Sequence, residues 1–272
     1  MSKRSVQPSE FARSIGLERQ ARLSGVAWLP EIPSIGKTWI LRGNMPKPLI
    51  IFGSAEIAQL ARYYFDNDSD YKVIGFTVDD EYASEPKVGD LPLLPFSKAR
   101  VSWPPGEVAM HVALSYRRLN KLRQEKYEFA RSQGYELASY VCSKSVTWPD
   151  LKIGDNCFIL ENQTIQPTVR IGANVMIWSG NHIGHASVIG NHTYISSHVV
   201  VAGNCEIGER CFLGVNACIR DFSKIGDDVF VGMGASIVGD VSAGSVAIGQ
   251  SADILAPDDR RARILKKRYF GE

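Results

Sequence analysis

The second half of this chain repeats with a period of six residues. From Ile153 to Ile237 every sixth residue is Ile, Leu or Val, which makes fifteen consecutive positions without a gap. Three hexads build one triangular coil, because each hexad supplies a short strand and a corner, and stacked coils pair their backbones at about 4.8 Å. The pattern therefore predicts a mainly β fold, a parallel β-helix of five coils that no long loop interrupts.

A second inward position lies four residues after each aliphatic residue, and it has to be small because it faces the same interior. Val, Ala, Ser, Thr or Cys occupies it throughout, except at Gln163 and Asn181. Cys157, Cys205 and Cys211 fall on this ladder, so we predict that they are core residues rather than metal ligands. Glycine directly follows the aliphatic residue in eight hexads, which suits a corner where side chains crowd or φ is positive.

The first half alternates between apolar strands and helical stretches. We predict strands at LIIF (49–52), YKVIGFTVDD (71–80) and VAMHVALS (108–115), and helices over AEIAQLARYYF (55–65) and NKLRQEKYEFARSQG (120–134). This alternation is typical of a small doubly wound α/β unit. We therefore divide the chain into a polar N-terminal arm (1–46), an α/β domain (47–142), the β-helix (143–252) and a C-terminal helical tail (253–272).

Charge and apolar content argue against several classes of protein. The formal net charge is +2, so the composition does not point to a nucleic-acid partner. The first residues contain no apolar run of signal-peptide length, and no stretch of about 18 apolar residues predicts a membrane span. The five cysteines, an odd number without close pairs, suit a reducing compartment. We expect a cytoplasmic protein that binds neither membrane nor nucleic acid.

Together these features resemble one family. A hexad ladder behind an α/β unit is similar to the sugar acyltransferases that include sialic-acid O-acetyltransferases and bacillosamine-pathway nucleotide-sugar N-acetyltransferases. The segments that carry the resemblance are LIIFGSAEIAQLA, GFTVDD, the stretch from Trp178 to Asp221, and VGMGASIVGDV. The resemblance implies a left-handed β-helix preceded by a small Rossmann-like α/β domain, in a homotrimer. It also implies acyl transfer from acetyl-CoA or another acyl-CoA, without a metal, to a nucleotide-linked sugar for lipopolysaccharide or another surface polysaccharide.

The resemblance further implies roles for particular residues. His185 matches the general base of the family, and Ala186 stands where such enzymes often carry an acidic residue that orients the base. Ligands of open α/β sheets bind at the carboxyl ends of strands, so the acceptor is expected around Gly53, Ser54, Asp79 and Tyr116. Asn181 and His182 are expected to line the cleft that contains His185 and to contact the acceptor there. The cofactor side is expected at Gly214, Asn216, Gly232, Gly234 and Ala235.

The chemistry of the transfer explains why a histidine suits the base position. Its pKa lies near the working pH, so it can accept a proton from the attacking group. A sugar hydroxyl needs this base at the moment of attack, whereas a sugar amine is already partly neutral near pH 7. Both N-transfer and O-transfer therefore stay open.

The remaining motifs have plainer interpretations. We expect His192 and His198 on other corners of the β-helix, in contact with solvent or with a neighbouring subunit, and His111 packed within a strand. The tail PDDRRARILKKRYFGE predicts a basic helix that begins at Asp258 and Asp259. Its cations either face solvent or contact the phosphates of CoA.

Two other functions are compatible with the same fold. A metal enzyme of the γ-carbonic anhydrase type needs three convergent histidines, two of them five residues apart, but the gaps from His182 onward are three, seven and six. A non-catalytic trimeric scaffold that binds nucleotides would need neither His185 nor the Gly-x-Gly-Ala stretch at 232–235.

Overall fold

The computed structural model describes residues 46–271, so the predicted N-terminal arm lies outside the described residues except for Pro46. The predicted fold class is confirmed: the chain is mainly β, with a left-handed parallel β-helix behind a small α/β domain. The C-terminal helix α4 (Arg260–Phe270) begins after Asp259, whose carboxylate accepts a hydrogen bond from the backbone N–H of Arg261 at 2.6 Å.

The α/β domain is built on one six-stranded sheet. The elements are β1 (Lys47–Phe52), α1 (Glu56–Asn67), β2 (Tyr71–Val78), β3 (Lys87–Val88), β4 (Leu91–Pro95), α2 (Phe96–Ser102), β5 (Ala109–Val112), α3 (Lys121–Ser132) and β6 (Glu136–Leu137), with a short 3₁₀ helix at Asp80–Tyr82. The strand order of the sheet is β3-β4-β2-β1-β5-β6, and every pairing is parallel except that of β3 with β4. Sequence patterns predicted β1, β2, β5, α1 and α3, and missed the short elements β3, β4, α2 and β6.

The β-helix consists of two-residue strands in three parallel sheets of seven, five and five strands. Each strand pairs with the strand that lies 18 residues further along the chain through most of the helix, so one coil takes three hexads. The strands are β7 (Tyr140–Val141), β8 (Lys152–Ile153), β9 (Phe158–Ile159), β10 (Thr164–Ile165), β11 (Arg170–Ile171), β12 (Met176–Ile177), β13 (His182–Ile183), β14 (Val188–Ile189), β15 (Tyr194–Ile195), β16 (Val200–Val201), β17 (Glu206–Ile207), β18 (Phe212–Leu213), β19 (Cys218–Ile219), β20 (Lys224–Ile225), β21 (Phe230–Val231), β22 (Ser236–Ile237) and β23 (Val246–Ala247).

The interior of the helix follows both predicted ladders. All fifteen aliphatic positions are buried except Ile153, which is partly buried, and the three ladder cysteines are fully buried. Gln163 and Asn181 also point inward, where a hydrogen bond of 3.2 Å runs from the backbone N–H of Asn181 to Oε1 of Gln163. Stacking thus satisfies the two polar residues that the small-residue pattern did not explain.

Positive φ falls on a different corner position from the one occupied by the repeated glycines. The left-handed residue comes three after the aliphatic residue and is usually not glycine, as at Asn156 (φ 53°) and Asn204 (φ 57°). Asparagine tolerates this region better than most residues. The repeated glycines have ordinary φ, but in seven of the eight a Cβ would lie within 3.0 Å of the next coil. Crowding therefore explains these seven glycines.

The three outer faces of the helix differ in chemistry, and each is named here by its outward residues. The aromatic face carries Phe158, Met176, Tyr194, Phe212 and Phe230; the neutral face carries Thr164, His182, Val200, Cys218 and Ser236; the charged face carries Lys152, Arg170, Val188, Glu206 and Lys224. Each corner is named after the two faces that it joins. Along the chain they follow in the order aromatic–neutral, neutral–charged and charged–aromatic.

The α/β domain covers the aromatic face and holds both of its corners. Asn156 accepts the backbone N–H of Val112 at 2.8 Å on the charged–aromatic corner. On the aromatic–neutral corner the Tyr64 hydroxyl donates to Glu161 at 2.6 Å. The neutral face and the neutral–charged corner lie on the far side of the helix from these contacts.

The crowded glycine corners make a prediction about stability. A Cβ on Gly190 would lie 2.5 Å from the carbonyl carbon of Gly208, whereas a Cβ on Gly239 would meet no atom within 4 Å. We expect Gly190→Ala to lower the free energy of unfolding by about 1–3 kcal/mol, because the coils must move apart. Urea denaturation would measure it, with Gly239→Ala as the control that stays within about 0.5 kcal/mol of wild type. Equal losses in both variants would contradict the crowding explanation.

Candidate functional site

The carboxyl edge of the α/β sheet beside Gly53 has the strand order at which open α/β sheets form a ligand crevice. The chain crosses from β4 at one side of the sheet to β5 at the other, so β1 and β5 flank the point where the strand order reverses. Ligands of open α/β sheets bind at such a point. Gly53 has φ +128°, and a Cβ there would lie 2.8 Å from the carbonyl oxygen of Ala113. Only glycine lets the loops after β1 and β5 approach this closely.

Two other predicted acceptor residues border the same edge of the sheet. Asp79 follows β2, and its carboxylate accepts a hydrogen bond from Lys126 Nζ at 2.7 Å, so part of its bonding capacity is already used. Tyr116 follows β5 and is half exposed, and its ring packs edge-on against Tyr194 and Phe212 of the aromatic face. Tyr116 therefore connects the crevice to the β-helix.

His185 lies on the neutral–charged corner and is exposed. Its backbone N–H donates to Gln166 Oε1 at 2.8 Å, which fixes the corner. The imidazole lies over Gly203 in the next coil, where a Cβ would be 2.7 Å from Nε2. Within residues 46–271 the ring itself makes no hydrogen bond, in line with Ala186 in place of an acidic neighbour. The absence of a side chain at Gly203 makes room for the ring.

The other histidines lie elsewhere. His198 is exposed on the aromatic–neutral corner, and His182 projects from the neutral face. The expectation that His192 faces solvent or a neighbouring subunit is wrong, because it is buried at the charged–aromatic corner, against the ring of Tyr127. His111 is fully buried, as expected, with Nδ1 2.9 Å from the carbonyl oxygen of Ala138.

A buried arginine is the residue that sequence reasoning missed most clearly. Arg123 of α3 is 1% exposed, and its Nη2 donates to the carbonyl oxygen of His192 at 2.6 Å. Its guanidinium also lies over the ring of Tyr194, and burial lowers its pKa to about 10. No carboxylate in residues 46–271 pairs with it, so the backbone and the aromatic ring carry this contact. The hydrophobic periodicity could not predict that Arg123 is buried, because the sequence of α3 is that of an ordinary charged surface helix.

The aromatic–neutral corner is held by side chains that point inward. Asn181 was expected beside the substrate, but it is 2% exposed, and its side chain bonds the carbonyl oxygen of Trp178 and the N–H of Val199. It therefore shapes the corner from inside instead of contacting a ligand. Gln163 donates to the same carbonyl of Trp178 at 2.7 Å.

The residues expected on the cofactor side gather on this same corner in the upper coils. Gly214, Gly232 and Gly234 belong to its backbone, and Asn216 is exposed on it with φ 58°. Ala235 points into the core, so only its backbone could touch a ligand. In one chain the predicted cofactor residues and His185 thus lie on two different corners, at opposite edges of the neutral face.

Comparison with known families and structures agrees with this architecture. Residues 150–185 and 186–221 match the family "Bacterial transferase hexapeptide (six repeats)", and residues 206–238 match the "Hexapeptide repeat of succinyl-transferase". No curated protein sequence matches the chain.

Among the solved structures that resemble this one are acetyltransferases. The acetyltransferase domain of PglB from Neisseria gonorrhoeae superposes with a TM-score of 0.67 at 21% identity, over 77% of this chain and 100% of that one. A second structure of that domain, in complex with acetyl coenzyme A, gives the same values except for 99% of its own length. PerB from Caulobacter crescentus, in complex with CoA and GDP-perosamine, gives 0.66 at 24% identity, over 77% and 97%. At these identities the likeness establishes the fold.

Searches of the described residues for two further features found none. Between residues 46 and 271 no three His, Cys, Asp or Glu side chains cluster in a way that could hold a metal ion. No helix in the described part of the chain is long and apolar enough to cross a bilayer.

The two buried histidines predict a loss of stability in acid. Burial lowers the pKa of both His111 and His192 to about 4, against an ordinary value of 6.5. The unfolded chain therefore binds more protons than the folded one between pH 6.5 and 4, and stability present above pH 6.5 falls as the pH drops through this window. Each histidine contributes a slope of about 1.4 kcal/mol per pH unit.

Replacement of one buried histidine should flatten this dependence. We expect His192→Asn to lower stability at pH 7.5 but to reduce the slope of unfolding free energy against pH, measured by urea titrations from about pH 4.5 to 7.5. His198→Asn, on an exposed corner, is the control and should keep the wild-type slope. If His192→Asn keeps that slope as well, the burial explanation is wrong.

Proposed function

We propose that this protein transfers an acyl group, in the first instance acetyl, from acyl-CoA to an amino or hydroxyl group of a nucleotide-linked sugar, with His185 as general base. We place the reaction in the cytoplasm, in the synthesis of a surface polysaccharide. The fold shared with acetyltransferases that bind acetyl-CoA, CoA and GDP-perosamine supports this function. The observation that supports the proposal most is that His185 and the predicted cofactor residues lie on two different corners of one chain.

That division is resolved by a homotrimer in which the neutral faces surround a threefold axis parallel to the β-helices. In such a ring the neutral–charged corner of one subunit meets the aromatic–neutral corner of the next. His185 of one subunit then faces the cofactor residues and the α/β crevice of its neighbour. The neutral face suits this contact because its outward residues carry no carboxylate, lysine or arginine.

The residues around His185 suit acyl transfer. The attacking nitrogen or oxygen forms a bond to the thioester carbonyl carbon, and His185 accepts its proton; the carbon–sulfur bond then breaks, and the proton leaves with the CoA sulfur. The oxyanion needs an N–H donor close to the base. The backbone N–H of Gly203, beside the His185 ring, donates no hydrogen bond within residues 46–271, and we assign it this role.

We assign the acceptor to the α/β domain because the strand order of its sheet reverses between β1 and β5. The backbone at Gly53 and Ser54, just before α1, can face a phosphate, and the remaining capacity of Asp79 can accept a hydrogen bond from a ribose hydroxyl or a base N–H. The sugar then extends past Tyr116 toward the aromatic–neutral corner, where the base of the neighbouring subunit is expected.

Removal of the imidazole tests the base. We expect His185→Asn to lower kcat by about 10²–10⁴-fold and to leave the affinity for acetyl-CoA nearly unchanged. Mass spectrometry with acetyl-CoA and GDP-, UDP- or dTDP-linked amino sugars would identify the acceptor and supply the rate assay, and calorimetry would measure acetyl-CoA binding. A variant that keeps more than about half of the wild-type kcat would rule out the base role.

Displacement of the same ring by a neighbouring methyl group gives a second test. A Cβ at position 203 would lie 2.7 Å from Nε2 of His185, so Gly203→Ala should move the imidazole and lower kcat by about 10-fold or more. Gly239 occupies the same corner column two coils higher with open space around it, and Gly239→Ala is the matched control. Equal kcat in both variants would mean that the ring position does not matter.

Mixed trimers test whether the site is shared between subunits. Ser54→Asp places a negative charge in the crevice and should abolish acceptor binding, while His185→Asn removes the base. Unfolded together and refolded as mixed trimers, the two inactive variants should regain about a quarter of the wild-type activity, because about one interface in four then pairs an intact crevice with an intact base. No recovery, or a stable monomer in native mass spectrometry, would contradict the shared site.

A further inference from the structure

From the structure we infer that Trp178 determines acceptor specificity, by presenting its indole to the sugar ring opposite His185 of the neighbouring subunit. The inference rests on the proposed function and deepens it. Trp178 occupies the aromatic–neutral corner directly after β12, and its side chain is only partly buried. In the coil below, the buried Leu160 occupies this corner position, and in the next three coils Ser196, Gly214 and Gly232 occupy it, so Trp178 is the one aromatic residue at this position from Leu160 to Gly232 and the one with a large, partly exposed side chain.

The backbone of Trp178 is held more firmly than an ordinary corner requires. Its carbonyl oxygen accepts hydrogen bonds from both Gln163 and Asn181, the two residues that break the small-residue ladder. Gln163 is further tied to the carbonyl oxygen of Leu160 at 2.9 Å. Two buried amides in an apolar core carry a cost unless every polar atom is paired, so their convergence on one carbonyl indicates that this corner must keep one shape.

The indole ring is fixed as well. Its Nε1 donates to the hydroxyl of Tyr194, which is 4% exposed and stacks on Phe212 at 5.3 Å. The buried guanidinium of Arg123 lies over the same tyrosine ring. With its N–H engaged and its rotation restricted, the indole can offer a ligand only its π surface, which is the surface that stacks on the C–H face of a pyranose.

The height of Trp178 along the β-helix matches that of the base. Trp178 and His185 are seven residues apart, less than half of an 18-residue coil, so they differ in height by about 2 Å. Rotation about a threefold axis parallel to the β-helix leaves these heights unchanged. In the proposed homotrimer the corner with Trp178 of one chain therefore lies against the corner with His185 of the next chain. The sugar that extends from the crevice past Tyr116 therefore reaches Trp178 before it reaches His185.

Kinetics of purified variants on the acceptor found above, or on GDP-perosamine as the probe, test the role. We expect Trp178→Ala to raise KM for the nucleotide-linked sugar roughly tenfold, with KM for acetyl-CoA within about twofold of wild type. Trp178→Phe, which keeps a ring, should recover most of the loss. Tyr194→Phe, which removes only the acceptor of the indole N–H, should show a smaller, few-fold rise in KM for the sugar.

Fluorescence gives an independent readout. The nucleotide-linked sugar should change the tryptophan emission of wild type and of Trp148→Phe, the control at a 53% exposed tryptophan, but not that of Trp178→Phe, and the free nucleotide should change none of them. Unchanged KM values in Trp178→Ala, or equal changes in KM for both substrates, would overturn the inference while leaving the transferase function intact. Wild-type protein that binds acetyl-CoA but acetylates no nucleotide-linked sugar would overturn both.

Discussion

The 18-residue length of the coil, which is kept up to the shorter last coil, is the constraint on which the rest of the structure depends. An inward aliphatic side chain every six residues and a coil of 18 residues place equivalent residues directly above one another, so each corner and each face becomes a column. Backbone hydrogen bonds between coils are satisfied only in this register. The columns in turn set the room above His185, the crowding at the glycines and the different chemistry of the three faces.

The α/β domain depends on those columns for its position. Asn156 and Asn174 are hydrogen-bonded to each other one coil apart, Asn174 contacts His192 in the next coil, and Arg210 forms a two-point ion pair with Asp228 above that. This polar column on the charged–aromatic corner provides the backbone and side-chain partners for β5 and α3. The β-helix therefore fixes the position of β5 and α3, and with them the carboxyl edge of the α/β sheet.

Periodicity in the sequence predicted the features that repeat along the chain. It failed for residues whose position depends on one contact with a residue distant in sequence. The core ladders, the five strand and helix predictions of the first half and the exposed corner position of His185 followed from spacing. The buried state of His192 did not, because it depends on Tyr127 and Arg123 of α3, far away in sequence. Asn181 was expected beside the substrate because it lies four residues before His185, but contacts with Gln163 one coil below and Val199 one coil above hold it inside the helix. No role for Trp178 followed from the sequence alone, because its contact with Tyr194 forms only when successive coils stack.

The uneven cover of the helix has a consequence for how the molecule comes apart. The lower coils contact the α/β domain at two corners, while the last coil ends in exposed residues such as Val246 and Ile248. In a stack where each coil contacts only its neighbours, stability is a sum of local terms and opening begins at the end with the fewest contacts. The β-helix is thus built with a gradient of protection against hydrogen exchange, highest beneath the α/β domain and lowest at its carboxyl end.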